Sequence, residues 1–543
     1  MKTIRLRDAR RYFIAFALVL VTSCFLLSLA PQEKPDFQSW QDPESCTSIM
    51  AGRLATTDGS VITAHTCDGE YRQWLKIVPG AKYPEGLTTK VYTGKMHTET
   101  SSETAGVTEK GEVPQATETF AFLNTAYPCL NEHQLAIGET TIGGRRELFN
   151  SSGMFMIEEI ERLMLERCTT ARQAIKLAGE LVKQYGYGDF GECITIADPK
   201  EVWQFEIFGT GLRQKGAVWA AVRIPDDHIG VSANIPRISE LNLKDPDNFM
   251  ASDNVISFAV EKGWYDPKGG QPFKFWKAYS GRKPFDVREY FIFNSVAPSL
   301  GLKMDMEELP FSVKPEKKIS VRDVLALYRQ TYEGTDLDPT KNLLVQDRRT
   351  GQPGKSPVAN PFMSREMFGL LNSLKPDVVA RNRTIAISAC SYATVLQCRA
   401  WLPDPVGGVC WFAFDNPAES ARFPIFAGVT ELPANFEVCA QHRFRTDSAA
   451  WVFRRANRLA TVRWGETKDI IQKTIADFEE RAFLELPYVE KIASDLYGKG
   501  DNPEGVKKAR EYLTKYTNDF ARAAMDTYQE LGDKFWTMFA RGF

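Results

Sequence analysis

One cysteine lies where it could supply two catalytic groups. Cys46 opens residues 46–52 (CTSIMAG), which follow a long apolar segment and a short polar stretch. If the chain is cut before Cys46, the thiol can act as the nucleophile and the freed α-amine as the general base. An α-amine has a pKa of about 8, which suits a base at neutral pH. We therefore predict that Cys46 is a nucleophile for attack on a carbonyl group.

A second apolar run returns the chain toward Cys46. Residues 48–54 and 60–65 have the composition of strands, and the Asp58-Gly59 pair between them is typical of a hairpin turn. In this hairpin Cys46 begins one strand and Asp68 ends its antiparallel neighbour. Residues 65–68 (HTCD) are of types that bind metals, but successive side chains of a strand point to opposite faces. We therefore expect neither a metal site nor a cofactor.

The first 30 residues have the pattern of an export signal. Residues 1–12 are basic and residues 13–30 are almost wholly apolar. The apolar segment has about 18 residues, fewer than the roughly 20 that span a bilayer, and it ends in small residues typical of a cleavage site. We assign residues 1–30 to a signal peptide, with an uncleaved anchor helix as the alternative. Cys24 also lies in a sequence that resembles a bacterial lipoprotein box.

The stretch between this signal and Cys46 is polar and rich in proline. Residues 31–45 (PQEKPDFQSWQDPES) cannot pack a core, so we expect an extended, protease-accessible propeptide or a plain linker. Cleavage before Cys46 would remove the signal and any lipid on Cys24, so membrane contact would be transient. The predicted location is the bacterial periplasm, the cell envelope or the medium.

The bulk composition excludes several classes of protein. The net charge is −2 and 43% of residues are apolar, so nothing indicates a nucleic-acid partner. Ten cysteines are too few for a disulfide scaffold in a chain of 543 residues, and their pairing cannot be read from the sequence. No pair has CxxC spacing, which argues against structural zinc.

The order of predicted elements indicates an α+β fold. Helical spacing covers residues 155–165 and 170–185, and four strand-like runs follow between residues 193 and 233. Further strands are predicted at 384–389, 393–400 and 408–414, and helices at 449–460, 467–484 and 504–539. We divide the mature chain into a catalytic domain, residues 46–446, and a helical C-terminal extension, residues 447–543.

Several separate segments carry a family resemblance. They are residues 46–68 (CTSIMAGRLATTDGSVITAHTCD), 130–141 (LNEHQLAIGETT), 219–228 (WAAVRIPDDH), 231–238 (VSANIPRI), and 402–411 around Gly407-Gly408. Together they resemble the dipeptidase A family of bacterial cysteine peptidases, which are N-terminal-nucleophile hydrolases distantly similar to bile-salt hydrolases and penicillin V acylases. The resemblance covers much of the chain from Cys46 to about residue 460. It implies a four-layer αββα sandwich with Cys46 at the end of a central strand.

The same resemblance implies roles for further residues. Asp68 matches the acidic residue that holds the α-amine, and Asn234 matches an asparagine that stabilises the oxyanion. The backbone near Thr140 and Thr141 falls where a second oxyanion donor is expected.

Two more positions are predicted to contact the substrate. His65 stands where the wider superfamily has Arg or Lys, and a neutral His would lower the thiol pKa less than a fixed cation does. Arg237 either binds a substrate carboxylate or forms a surface ion pair.

The predicted activity is hydrolysis of dipeptides through an acyl-enzyme. Two alternatives remain open at this point: an amidase of the same fold that acts on acylated amino acids, bile-salt conjugates or penicillins, and a non-enzymatic envelope lipoprotein. The expected partners are small peptides, without nucleic acid or metal, and the sequence leaves a homo-oligomer open.

Overall fold

The computed structural model describes residues 45–98, 106–282, 284–346, 350–439, 441 and 443–542. The predicted signal peptide, Cys24 and residues 31–44 lie outside these ranges. Within them, no helix combines the length and the apolar character needed to cross a membrane. The described cysteines are all buried and free of disulfide bonds.

A first antiparallel sheet contains the Cys46 end of the chain. Its strands are β1 (Thr47–Ala51), β2 (Val61–Asp68), β14 (Ile229–Ser232), β16 (Ser312–Val313), β19 (Cys390–Cys398), β20 (Val409–Phe414) and β21 (Phe423–Phe426). They lie in the order β16-β14-β1-β2-β19-β20-β21. The predicted hairpin is confirmed, because β1 pairs with β2 in the register Ser48 opposite His65. Its turn contains Gly59 at φ 85°, and the Asp58 side chain accepts the Ser60 amide at 3.0 Å.

A second antiparallel sheet is built from the middle of the sequence. Its strands are β3 (Lys76–Val78), β8 (Phe122–Asn124), β9 (Leu130–Asn131), β10 (Ala136–Ile142), β11 (Gly191–Ala197), β12 (Val202–Phe208), β13 (Val218–Arg223) and β15 (Phe249–Ala251). The order is β15-β13-β12-β11-β10-β9-β8-β3. Three small hairpins lie outside both sheets: β4 (Ala81–Lys82) with β7 (Glu118–Thr119), β5 (Thr88–Thr93) with β6 (Thr108–Pro114), and β17 (Leu344–Gln346) with β18 (Pro353–Lys355).

The helices are short in the middle of the chain and long at its end. They are α1 (Ile157–Arg167), α2 (Ala171–Tyr185), α3 (Ser257–Glu261), α4 (Phe275–Tyr279), α5 (Val287–Val296), α6 (Val321–Tyr328), α7 (Arg365–Leu374), α8 (Asp404–Gly407), α9 (Ala449–Ala460), α10 (Trp464–Tyr497) and α11 (Pro503–Met538). Short 3₁₀ helices occur at Lys95–His97, Arg146–Leu148, Pro298–Leu300, Ala434–Phe436 and Thr461–Arg463.

Direct contacts join the two sheets to each other and to the longer helices. The hydroxyl groups of Thr63 on β2 and Thr195 on β11 hydrogen-bond at 2.5 Å, which links the first sheet to the second. Helix α2 packs on β11 and β12, whereas α9, α10 and α11 pack on β20 or β21. For example, Thr517 of α11 donates its hydroxyl to the carbonyl of Pro424 in β21 at 3.0 Å.

The structure confirms an α+β fold with antiparallel sheets and long C-terminal helices, but it corrects two details. The strand predicted at residues 384–389 is wrong: this run is irregular, and β19 begins only at Cys390. The buried carbonyls of Thr384 and Ile385 accept hydrogen bonds from the Arg383 guanidinium instead of from a neighbouring strand. Helix α10 also continues past residue 484 and through Pro487. The domain boundary at residue 446 stays a prediction.

Candidate active site

Cys46 lies immediately before β1 and is fully buried. Its thiol Sγ is 3.7 Å from Oε2 of Glu139 on β10, so the start of the first sheet touches the second sheet here. Burial, followed by the negative charges of Glu139 and Asp68, raises the pKa of the Cys46 thiol well above its usual value. In this structure the sulfur is therefore a neutral thiol and a weak nucleophile.

Asp68 ends β2 beside the residue that precedes Cys46. The Ser45 amide donates to the Asp68 backbone carbonyl at 3.0 Å. The carboxylate oxygen Oδ2 of Asp68 accepts hydrogen bonds from the Thr66 hydroxyl at 3.0 Å and from Arg383 Nη2 at 2.7 Å. The other oxygen, Oδ1, is buried and has no nitrogen or oxygen donor among the described residues, although the Cys390 thiol interacts with this carboxyl group. This leaves one acceptor next to the Ser45-Cys46 peptide bond.

Arg383 joins Asp68 to Ser45. Its Nη2 atom donates to the Ser45 hydroxyl at 2.8 Å and to the Ser45 carbonyl oxygen at 3.2 Å. Both Ser45 and Cys46 are buried, whereas the sequence predicts an accessible tether up to residue 45. That prediction is wrong for Ser45, because hydrogen bonds to a buried arginine hold this residue inside the fold.

Asn234 follows β14 in a left-handed backbone conformation, with φ 64°. Asparagine tolerates this conformation better than most residues do. The side-chain Nδ2 donates to the Thr141 carbonyl at 2.7 Å, and Oδ1 accepts from Arg288 Nη2 at 3.0 Å. A primary amide carries two N–H donors, so one donor of a fixed side chain remains after the Thr141 bond.

Arg288 connects Asn234 to Cys46, and the sequence analysis missed it. Its Nη1 donates to the Cys46 carbonyl at 2.7 Å, while its Nη2 reaches Asn234. The residue lies in the first turn of α5, where Asp286 and Glu289 form a capping box that fixes the helix start. Asp286 also pairs with the Arg288 guanidinium at 2.8 Å. The capping pattern signals a helix start, but nothing local indicates what Arg288 contacts.

Thr140 and Thr141 are neighbours of Glu139 on β10. The Thr140 hydroxyl lies 2.5 Å from the Ser48 hydroxyl of β1 and donates to the Glu139 carbonyl at 2.8 Å. The Thr141 hydroxyl donates to Glu139 Oε1 at 3.2 Å, and the Thr141 carbonyl holds Asn234. These contacts bring the predicted segment close to Cys46. A direct bond from its backbone to a substrate stays a prediction.

His65 and Arg237 have partners that occupy their side chains. Burial lowers the pKa of His65 to about 3, so the imidazole is neutral, and its ring nitrogens contact Thr394 at 3.0 Å and Tyr392 at 3.4 Å. The Arg237 guanidinium is buried and donates to the backbone carbonyls of Pro284, Leu309 and Pro310. Arg237 is therefore no surface ion pair. Substrate binding by either residue stays a prediction that these contacts do not favour.

A thiol, a carboxylate and fixed amide and guanidinium donors thus converge at the start of β1. These are the groups with which a cysteine hydrolase attacks an amide carbonyl and stabilises the resulting oxyanion. The chain belongs to peptidase family C69, whose sequence profile matches residues 45–477. It is a cysteine peptidase, as the resemblance of the separate sequence segments predicts.

Proteins similar to this chain are named as dipeptidases. A probable dipeptidase of Salmonella dublin is 28% identical over 410 residues, which cover 71% of this chain and 81% of that protein. A probable dipeptidase of Latilactobacillus sakei is 25% identical, with 78% and 82% covered. Dipeptidase A of Lactobacillus helveticus is 22% identical, with 84% and 90% covered.

Proposed function

We propose that this protein is an exported dipeptidase whose nucleophile is Cys46, exposed as the N-terminal residue when residues 1–45 are removed. The observation that carries the proposal is the unpartnered Oδ1 of Asp68, a buried acceptor beside the Ser45-Cys46 bond. Cleavage of that bond creates an α-amine, which needs a partner of this kind. The dipeptidase names of the similar proteins support the substrate class.

In the proposed reaction the α-amine of Cys46 takes the proton from the Cys46 thiol. The thiolate then attacks the carbonyl carbon of the peptide bond, and the remaining N–H of Asn234 donates to the oxyanion. The protonated α-amine returns its proton to the leaving amine, which departs as a free amino acid. Water, activated by the same α-amine, then hydrolyses the thioester and releases the first residue.

The uncut chain lacks this base. Burial and three nearby acidic residues, Glu139, Asp68 and Glu192, raise the pKa of the Cys46 thiol, which keeps it protonated while its nitrogen is an amide. Removal of residues 1–45 would therefore act as an activation step. Because Ser45 is buried, we expect the cut to occur before folding is complete or through the site itself.

Three further features belong to this proposal. The two sheets with helices packed on them would form the αββα sandwich of N-terminal-nucleophile hydrolases, and the helices after residue 446 would be a C-terminal extension that packs on the first sheet. The basic and apolar pattern of residues 1–30 supports export to the periplasm, the cell envelope or the medium.

Thiol alkylation should abolish dipeptide hydrolysis, whereas chelators should leave the rate unchanged. The proposed chemistry uses a thiolate and an amine, so no step requires a divalent metal ion that a chelator would remove. Steady-state rates after treatment with iodoacetamide or EDTA measure both effects. Loss of activity with EDTA that zinc restores would contradict the mechanism.

A substrate panel separates the proposed peptidase from an amidase of similar fold. It should contain free dipeptides, an acylated amino acid, a bile-salt conjugate and penicillin V. We expect kcat/KM to be highest for free dipeptides. A higher value for any of the other amides would contradict the dipeptidase assignment while leaving the cysteine mechanism in place.

A further inference from the structure

Buried carboxyl groups lie behind the nucleophile and take no part in the steps above. The acidic cluster consists of Glu139, Glu158, Glu161, Asp189 and Glu192, all buried. Glu139 and Glu192 share a hydrogen bond, as expected for neighbours on β10 and β11. None of the five forms an ion pair within the described part of the chain, although the adjacent Glu159 pairs with Lys95 and Arg162.

Unpartnered polar atoms point to a cationic ligand at this cluster. Both carboxyl oxygens of Glu158 and of Glu161, and Oε2 of Glu192, are buried without a hydrogen bond from any described residue. The buried hydroxyl of Tyr187 is unpartnered too, and Asp189 and Glu192 are its strongest electrostatic neighbours. Buried acceptors of this kind are costly unless something donates to them.

The geometry of the acidic cluster favours an ammonium group over a metal ion. Across the described ranges, no group of His, Cys, Asp and Glu side chains has the spacing to hold a metal. Burial raises the pKa of Glu139 and of Glu192, as expected for carboxyl groups without a cation. A primary ammonium carries three N–H donors and could serve both carboxyl groups at once.

The distance from the nucleophile identifies which ammonium group would fit. Oε2 of Glu139 is 3.7 Å from the Cys46 thiol. In any peptide the α-nitrogen of the first residue lies about 2.5 Å from that residue's carbonyl carbon, as standard backbone dimensions require. A first peptide bond attacked by Cys46 therefore places its free α-ammonium within reach of Glu139. At a later bond, or in an N-acylated substrate, the same position holds an uncharged amide.

We propose that the Glu139–Glu192 carboxyl pair binds the free α-ammonium group of the peptide substrate and so restricts hydrolysis to the first peptide bond. This inference rests on the proposed role of Cys46 as the nucleophile. It goes beyond that role because it names the two side chains, Glu139 and Glu192, that would select substrates with a free N-terminus.

The first test uses the unaltered enzyme. It compares kcat/KM for a dipeptide that the enzyme hydrolyses, for its N-acetyl derivative, and for the analogue in which hydrogen replaces the α-amino group. Charge-assisted hydrogen bonds of about 1.5–3 kcal/mol predict a loss of roughly 10- to 150-fold for both altered substrates. Comparable kcat/KM for the deaminated analogue would overturn the inference, and this outcome does not depend on the folding of a variant.

The second test assigns the effect to the carboxyl pair. Glu192→Gln should lower kcat/KM for the free dipeptide by roughly 10-fold or more, as expected for loss of a charged hydrogen-bond partner, and should change the deaminated analogue little. Glu419→Gln is the matched control, since Glu419 is a buried glutamate that accepts a hydrogen bond from Asn416. This control should preserve the ratio of kcat/KM between the free dipeptide and the deaminated analogue. Equal losses for both substrates in Glu192→Gln would overturn the inference.

Labelling of Cys46 separates failure of this inference from failure of the proposed function. If an alkylating agent labels an N-terminal Cys46 and inactivates the enzyme, the nucleophile stands whatever the substrate ratios are. If active enzyme carries no such cysteine, the proposed function fails first.

Discussion

We expect Cys46→Ala to abolish peptide hydrolysis and to leave the fold intact. The substitution removes the sulfur proposed to form the acyl-enzyme, and losses on the order of 10⁶-fold are known for catalytic nucleophiles. The fold should survive because the Cys46 carbonyl still accepts from Arg288, and because the hydrogen bond from the lost sulfur to Glu139 is long, at 3.7 Å. Steady-state kinetics on dipeptides and a circular dichroism melt measure the two properties.

A second cysteine variant serves as the control for Cys46→Ala. Cys193 is a fully buried cysteine on β11, so Cys193→Ala removes a buried thiol at another position and should keep catalysis. Cys46→Ser should retain weak activity at most, because a hydroxyl is much harder to deprotonate than a thiol at neutral pH. Near-normal turnover by Cys46→Ala would show that another residue is the nucleophile.

We expect Asn234→Ala to lower kcat by about 10²- to 10³-fold, as for other oxyanion donors, and to change KM little. In the proposed mechanism the amide donates to charge that exists only in the tetrahedral intermediate, so binding of the ground state should scarcely depend on it. Asn234→Asp should be as damaging, since it puts an anion beside the developing oxyanion. The measurement is kcat and KM together with the melting temperature of the same preparation.

The left-handed backbone of Asn234 supplies a matched control. Glycine adopts φ 64° without steric cost, so Asn234→Gly removes the amide but not the backbone geometry. The oxyanion role predicts that the Gly and Ala variants lose kcat equally. A stable Gly variant with nearly normal kcat would show that Asn234 serves only to shape the turn before Pro236.

Local signals in the sequence are sufficient to predict the hairpin that carries Cys46 and Asp68. The Asp58-Gly59 turn and the apolar runs on either side determine which strands pair, and the observed register follows. Apolar residues at helical spacing likewise predict α1, α2 and the C-terminal helices. The strand predicted at residues 384–389 is wrong because the apolar run does not reveal that the adjacent Arg383 side chain, and not a neighbouring strand, donates to its carbonyl groups.

The residues that contact Ser45 and Cys46 could not be predicted in the same way. Glu139 lies 93 residues from Cys46 in sequence, and Arg288 lies 242 residues away. Arg383 is separated from Ser45 by 338 residues. Such contacts depend on how the strands are ordered in the sheets, which periodicity and spacing do not specify. Only the family resemblance predicts a role for Asn234, since its local sequence is equally typical of a turn.

Determination of the N-terminus of the active enzyme tests the central claim most directly. Full-length precursor is expressed in an exporting bacterial host, the active fraction is labelled with an alkylating substrate analogue, and N-terminal sequencing and intact mass are measured. We predict a mature chain that begins at Cys46, with the label on this residue and full loss of activity at one label per chain. Active enzyme with Cys24 or Pro31 as its sole N-terminus would contradict the account, because the Cys46 nitrogen would then be an amide.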